Sequence, residues 1–95
     1  MRAQERDRLK AERVHQQDTV RKLEKEIMQL EEEQEKVNAE LANPHSYNDP
    51  EKARDLNLQA SRLAKQLEER NYEWEIEAEK LLELDEKKAL ATADA

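Results

Sequence analysis

The stretch that decides the fold is Asn43-Pro44-His45-Ser46-Tyr47-Asn48-Asp49-Pro50. It contains both prolines of the chain, and no other stretch has the composition of a turn. Pro44 disfavours helical geometry in the residue before it, so a helix that arrives from the N-terminal side should end near Ala42.

The end of the same stretch marks the start of a second helix. Asp49 followed by Pro50 is typical of an N-cap with proline at the first helical position, where its missing N–H costs nothing. Asn48 with Glu51 three residues later is an alternative capping box, but it is less favoured because Asp49 precedes a proline.

On both sides of the turn, apolar residues recur at alternating spacings of three and four. This is the heptad pattern abcdefg of a coiled coil, with Val20 at a and Leu23 at d. The predicted seam comprises Val20, Leu23, Ile27, Leu30, Val37 and Leu41 in the first helix and Leu56, Leu63, Leu67, Trp74 and Leu81 in the second. Each helix therefore carries one narrow apolar stripe, and the short connection favours an antiparallel pair.

The charge distribution favours the same pairing. The first 25 residues carry a net charge of +3, and the rest of the chain carries −10. An antiparallel hairpin sets the basic start against the acidic end, and in that register Arg13 and Gln16 come near Glu77 and Leu81. A parallel homodimer would instead stack the acidic run at residues 31–33 on itself, so we expect a monomer rather than a dimer.

Composition supports an all-α fold, an antiparallel two-helix coiled-coil hairpin. The chain has 43% charged and 36% hydrophobic residues, which is too little apolar material for a two-layer core. The predicted organisation is helix 1 over residues 1–42, a tip loop over 43–49, helix 2 over 50–88 and a frayed tail over 89–95. Residues 1–17 can alternatively form a linker from a preceding domain.

The sequence offers no catalytic or metal-binding constellation. His15 and His45 lie at opposite ends of the predicted hairpin, so they cannot share a metal ion. The chain has no cysteine and no glycine; these absences exclude a thiol nucleophile, a zinc–thiolate site and a glycine-rich phosphate loop. We expect no enzymatic activity, no metal and no cofactor in this chain.

Localisation is predicted from three absences in the sequence. No apolar run reaches the roughly 18 residues of a membrane span, and no signal-peptide pattern follows Met1. Lack of cysteine suits a reducing compartment. We therefore expect a soluble, cytoplasmic protein with no membrane contact.

The tip is one candidate nucleic-acid contact. An aromatic ring can stack on a base while nearby cations hold phosphates. The tip residues of this type are Lys36, His45, Tyr47, Lys52 and Arg54. In the alternative interpretation, Tyr47 packs over Leu41 and Ala53 to close the hairpin, and nearby carboxylates weaken the attraction for phosphates.

Basic residues near the N-terminus form a second, weaker candidate contact: Arg2, Arg6, Arg8, Lys10 and Arg13. They can bind nucleic acid, or they can face the acidic second helix. Leu58, Tyr72 and Ile76 are candidates for protein docking, because Tyr72 and Ile76 fall at f and c of the heptad, away from the seam. Trp74 sits at a core position and is interpreted as a packing residue.

One motif carries a family resemblance. A Glu/Lys-rich helix ends in Glu-Leu-Ala-Asn-Pro at residues 40–44, a short loop with an aromatic residue follows, and Asp-Pro-Glu-Lys at 49–52 leads to a second helix with the pair Trp74-Glu75. This arrangement, over about residues 18–84, resembles the C-terminal domain of ABC-F ATPases of the Uup and YheS type. Glu77 departs from the pattern, which has a leucine three residues after the tryptophan.

The resemblance implies a parent protein with two tandem ATP-binding cassettes and no membrane domain, of which this chain is one domain. ATP and Mg²⁺ are then expected only in the cassettes, and residues 1–17 would be a linker from the preceding cassette. Such a protein acts at the ribosome, in translation or antibiotic resistance. The implied partners are ribosomal RNA or DNA and the protein's own cassettes. The alternative is a structural helical spacer or a protein–protein docking arm with no nucleic-acid binding.

Overall fold

The computed structural model describes residues 2–93 and contains three helices in that range. Helix α1 spans Ala3–Leu41, the four-residue helix α2 spans Pro44–Tyr47, and helix α3 spans Pro50–Ala93. No strand occurs in the described part of the chain. The fold is therefore all-α, and the predicted helical hairpin is confirmed.

The helix bounds differ from the predicted ones in two places. A helix, α2, lies inside the predicted tip loop, and α3 continues to Ala93, beyond the predicted end at residue 88. The last two positions of the predicted frayed tail lie outside the described residues. Fraying of the tail remains a prediction.

The chain divides into two compact units. The tip segment is Lys25–Asn71, and the base segment combines Met1–Glu24 with Tyr72–Ala95. Each unit contains one stretch of α1 and one stretch of α3.

In the tip segment, the core is a single apolar layer between α1 and α3. Val37, Leu56 and Leu63 are buried at 5–8% exposure, and Leu30, Leu41 and Ala60 pack against them. Leu67 is also buried, and Ile27 is half-buried. Arg70 and Glu26 form an ion pair at 3.0 Å, with Nε and Oε2 as the paired atoms. Because residues early in this stretch of α1 pair with late residues of α3, the two helices are antiparallel here.

In the base segment, the seam is partly polar. Val20 and Leu23 are buried, but so is Gln16, while Trp74 and Leu81 are half-buried. Polar contacts run from Arg13 to Asp85, from Gln16 to Glu77 and from Glu24 to Trp74. Successively later residues of α1 bond to successively earlier residues of α3, so the two helices are antiparallel in this unit as well.

The described helices are mostly polar on the surface. Within residues 2–93, no helix combines the length and the apolar character needed to cross a membrane.

Candidate functional site

Two consecutive helix caps shape the tip. Asn43 has extended backbone (φ −80°, ψ 127°), and its side-chain oxygen accepts the N–H of His45 at 3.1 Å. Asp49 caps α3 in the same way, because its Oδ1 accepts the N–H groups of Glu51 and Lys52 at 3.2 and 3.4 Å. Each cap is followed by a proline, which needs no hydrogen-bond partner at the first helical position. The predicted N-cap at Asp49 is thus confirmed.

The short helix α2 points one side chain inward and leaves its neighbour outside. Ser46 is buried, with 2% of its surface exposed, and its N–H donates to the carbonyl oxygen of Asn43 at 2.9 Å. Tyr47 exposes 55% of its surface. More than half of this residue is therefore accessible to solvent or to a partner.

The predicted tip cations are all on the surface of the tip segment. Lys36, His45, Lys52 and Arg54 are exposed, and none of them forms an ion pair within the described residues. The carboxylate of Asp49, which lies among them in sequence, accepts hydrogen bonds from the helix N-terminus.

Lys36 lines a shallow groove on one side of the tip segment. Val37 and Leu63 lie in this groove, and Arg62 is its second cation. The remaining lining residues are polar or acidic: Glu33, Glu40, Gln59 and Gln66. His45, Tyr47, Lys52 and Arg54 do not line it. The tip candidates therefore divide into Lys36 in the groove and four residues at or just after the turn.

A polar layer replaces the apolar seam in the base segment. Gln16 is buried, and its Nε2 donates to the Glu77 carboxylate at 2.6 Å and to the Glu77 carbonyl oxygen at 2.8 Å. Lys80 donates to the other carboxylate oxygen at 3.3 Å. The hydrogen bonds from Gln16 and then Lys80 lower the pKa of Glu77 below its usual value of 4.5. The charged side chain is thereby accommodated at a core position of the heptad.

Arg13 is engaged in the same unit. Its Nε donates to Asp85 Oδ1 at 2.9 Å, and only 17% of its side chain is exposed. The other N-terminal candidates, Arg2, Arg6, Arg8 and Lys10, are exposed. Arg13 therefore contributes to helix pairing, while its four neighbours remain accessible.

The docking candidates are exposed in the unit to which each belongs. Leu58 exposes half of its surface and belongs to the tip segment. Tyr72 and Ile76, at 66% and 39% exposure, belong to the base segment. Trp74, between them in sequence, is half-buried and donates from Nε1 to Glu24 Oε1 at 3.3 Å.

Metal-binding geometry is lacking in the described residues. Over residues 2–93, no three side chains of the His, Cys, Asp and Glu types are arranged to hold a metal ion.

Comparison with known families gives a match. The family described as the ABC transporter C-terminal domain matches residues 10–78, which is most of the chain. This chain belongs to that family. The match includes both caps at the tip, the polar layer and Trp74. Neither the curated proteins nor the solved structures yield a significant match.

This ABC C-terminal domain is thus the arm of an ABC-type protein. Its family membership implies that it associates with an ATP-binding cassette. The suspected membership of an ABC protein family is confirmed at this level.

Sequence reasoning missed three residues of this ABC C-terminal domain. Arg62 shares the groove with Lys36, and its position at c of the heptad matches that of Lys36 on α1. Ser46 is buried in a stretch that had been predicted as loop. Asp85 is the partner of Arg13 because the long arginine side chain reaches beyond the predicted neighbours, Glu77 and Leu81.

Proposed function

We propose that this domain is the C-terminal arm of an ABC-F ATPase and that it contacts nucleic acid, either ribosomal RNA or DNA, in a translation-related role. The observation that supports it most is that the tip segment carries an exposed aromatic residue, Tyr47, together with exposed cations at Lys36, Lys52 and Arg54. Cations hold the phosphate backbone, and the ring stacks on a base.

The ABC-F assignment rests on the motif from residue 40 to residue 52 together with Trp74, and on the family match. The expected parent is a cytoplasmic protein with two cassettes, which bind ATP and Mg²⁺. In this proposal any ATP hydrolysis belongs to the cassettes, and closure of the cassettes moves or fixes the arm. A role in antibiotic resistance would belong to the same parent.

The tip contact is tested by titrating the domain into a labelled ribosomal RNA fragment and a labelled DNA duplex at low and physiological salt. The test variant is Lys36→Ala/Lys52→Ala/Arg54→Ala. The control is Arg6→Ala/Arg8→Ala/Lys10→Ala, which removes the same charge from the base segment. We expect binding that weakens as salt rises, that the tip variant loses and that the control largely retains.

The salt dependence gives an independent readout. Each phosphate contact contributes about 0.9 to the slope of log K against log salt on duplex DNA, so the tip variant should lower that slope by about 2–3. Equal losses in both variants would show that the tip contributes no more than the basic residues near the N-terminus, and would contradict a contact specific to the tip. Absence of binding at low salt would favour the alternative, a structural spacer or protein-docking arm.

One observation supports the second function, a protein-docking arm. Tyr72 and Ile76 are large apolar side chains on the solvent-facing side of α3 in the base segment.

A further inference from the structure

The outer face of α3 in the base segment has an unusual composition. Positions b, c and f of the heptad point away from the seam. Between residues 72 and 86 they are occupied by three large apolar and four acidic side chains: Tyr72, Glu75, Ile76, Glu79, Leu82, Glu83 and Glu86. All seven are exposed. We call this set the outer acidic face.

The apolar members of this face have no partner in the helix pair. Tyr72, Ile76 and Leu82 expose 66%, 39% and 59% of their surface. Exposed apolar residues are normal when scattered, but these three lie on one side of one helix within three turns. They are thus placed to be covered together by another surface.

The acidic members repel one another. Glu75, Glu79 and Glu83 are spaced four residues apart, and like charges at this spacing destabilise a helix. None of the four glutamates of the face forms an ion pair within the described residues. Other acidic residues of this stretch behave differently, since Glu77 bonds to Gln16 and Lys80, and Asp85 pairs with Arg13.

The same face of α3 in the tip segment has a mixed composition. Around Leu58 it carries Arg54, Arg62 and Lys65 as well as acidic residues. A purely acidic face with embedded apolar side chains is therefore a property of residues 72–86 and not of the whole helix.

We propose that the outer acidic face binds a basic, amphipathic helical segment of a protein partner. Lysine or arginine side chains of that segment would pair with Glu75, Glu79 and Glu83, while its apolar side would cover Tyr72 and Ile76. The face is about 21 Å long at ~1.5 Å per residue, which matches a partner helix of about four turns. Charge complementarity selects this occupant, because four uncompensated carboxylates repel both a nucleic acid and a second copy of the same face.

The probe for the test is a labelled amphipathic peptide of Leu, Lys and Ala, with a matched peptide in which Glu replaces Lys. Binding to the domain is measured by fluorescence anisotropy. We expect the Lys peptide to bind with salt-sensitive affinity and the Glu peptide not to bind.

Three variants distinguish specific binding at the outer acidic face from nonspecific electrostatic attraction between the peptide and the domain. Tyr72→Ala/Ile76→Ala keeps every charge and should weaken binding at least about tenfold, because aromatic side chains that become buried at an interface commonly supply a large part of the binding free energy. Glu75→Gln/Glu79→Gln/Glu83→Gln should weaken it by at least as much and reduce its salt dependence. Met28→Ala, at an exposed position of α1 in the tip segment, should leave affinity unchanged.

The proposal is overturned if the domain does not bind the Lys peptide or if Tyr72→Ala/Ile76→Ala binds as tightly as the unsubstituted domain. It is also overturned if the unsubstituted domain doubles its mass in sedimentation and the Tyr72→Ala/Ile76→Ala variant does not, since a second copy would then occupy the face. Displacement of the peptide by RNA, with loss of RNA binding in the same variant, would assign the face to nucleic acid. These results do not depend on the tip, so they are distinguishable from a failure of the proposed tip contact.

Discussion

At the scale of single residues, Ser46 and Asp49 hold the turn together in different ways. Ser46 is buried with 2% of its surface exposed, and Asp49 supplies a side-chain acceptor to the first turn of α3. Neither role depends on hydrophobicity, and each makes its own prediction.

Enlarging the buried serine should disturb the tip. We expect Ser46→Leu to lower the free energy of unfolding by about 1–3 kcal/mol, because extra volume in a filled site forces neighbouring groups apart. Urea unfolding followed by circular dichroism measures the change. Ser61→Leu is the control, since Ser61 is exposed on α3 and leucine is a good helix former. Equal stability of the two variants would show that Ser46 is not tightly packed.

Removing the cap should destabilise the start of α3. Asp49→Ala leaves the N–H groups of Glu51 and Lys52 without their side-chain acceptor, and we expect a loss of about 1 kcal/mol. Asp49→Ser keeps a capping oxygen and should lose much less. An Asp49→Ala variant that melts at the same temperature as the unsubstituted domain would contradict this role.

The same residues show what the sequence can and cannot predict. The cap at Asp49 was predictable because a long periodic helix follows the proline. Asn43-Pro44 is the same type of signal, but only four helical residues follow it, too few to show a periodicity. The burial of Ser46 depends on how closely the chain approaches the two long helices, which no local pattern records.

At the scale of elements, the base segments of α1 and α3 meet through a polar layer. Gln16 and Glu77 occupy positions that are apolar elsewhere in the seam, and they bond directly to each other. A polar pair at core positions contributes less stability than two leucines, but it discriminates against other registers, where each group would lack its partner.

Charge on Glu77 should make this layer sensitive to acid. Because its pKa is lowered in the folded state, the charged form adds stability above pH about 4.5, and that contribution is lost as pH falls through the lowered pKa. Between about pH 6 and about pH 3, the unsubstituted domain should lose more stability than Glu77→Gln. Thermal melts across this range measure the difference.

The control for that experiment is Glu12→Gln, which removes an exposed carboxylate with no acidic residue three or four positions away. Its melting temperature should follow that of the unsubstituted domain across the whole range. If Glu77→Gln and Glu12→Gln have the same acid profile, the hydrogen bonds to Glu77 do not contribute to pH-dependent stability.

The register itself was predictable from residue periodicity and charge. It placed Gln16 near Glu77, as the structure confirms. It did not identify the hydrogen bond that makes Glu77 tolerable in the seam, because that bond depends on side-chain rotamers. Exposed positions were predictable from the heptad, since Leu58 and Tyr72 both fall at f and are both exposed. That they bind a protein partner remains a prediction.

At the scale of the whole molecule, the net charge of −7 and its distribution bear on association. The apolar residues of the seam pack between α1 and α3 of the same chain. The outer acidic face repels a second copy of itself. We expect a monomer at physiological salt, with a sedimentation mass that does not change with protein concentration. A mass that rises toward twice 11.3 kDa would contradict this expectation.

The glycine-free turn has a consequence for the order of folding. Two prolines restrict the backbone of the unfolded chain at the turn, which lowers the entropy lost when the turn closes. Contacts near it join residues close in sequence, such as Val37 and Leu56, whereas Gln16 and Glu77 are 61 residues apart and Arg13 and Asp85 are 72 apart. Local contacts form faster than distant ones, so we expect the hairpin to nucleate at the turn and the polar layer to form late. Gln16 and Glu77 then bond to each other only after the turn has set the alignment of the two helices, and they stabilise only the native alignment.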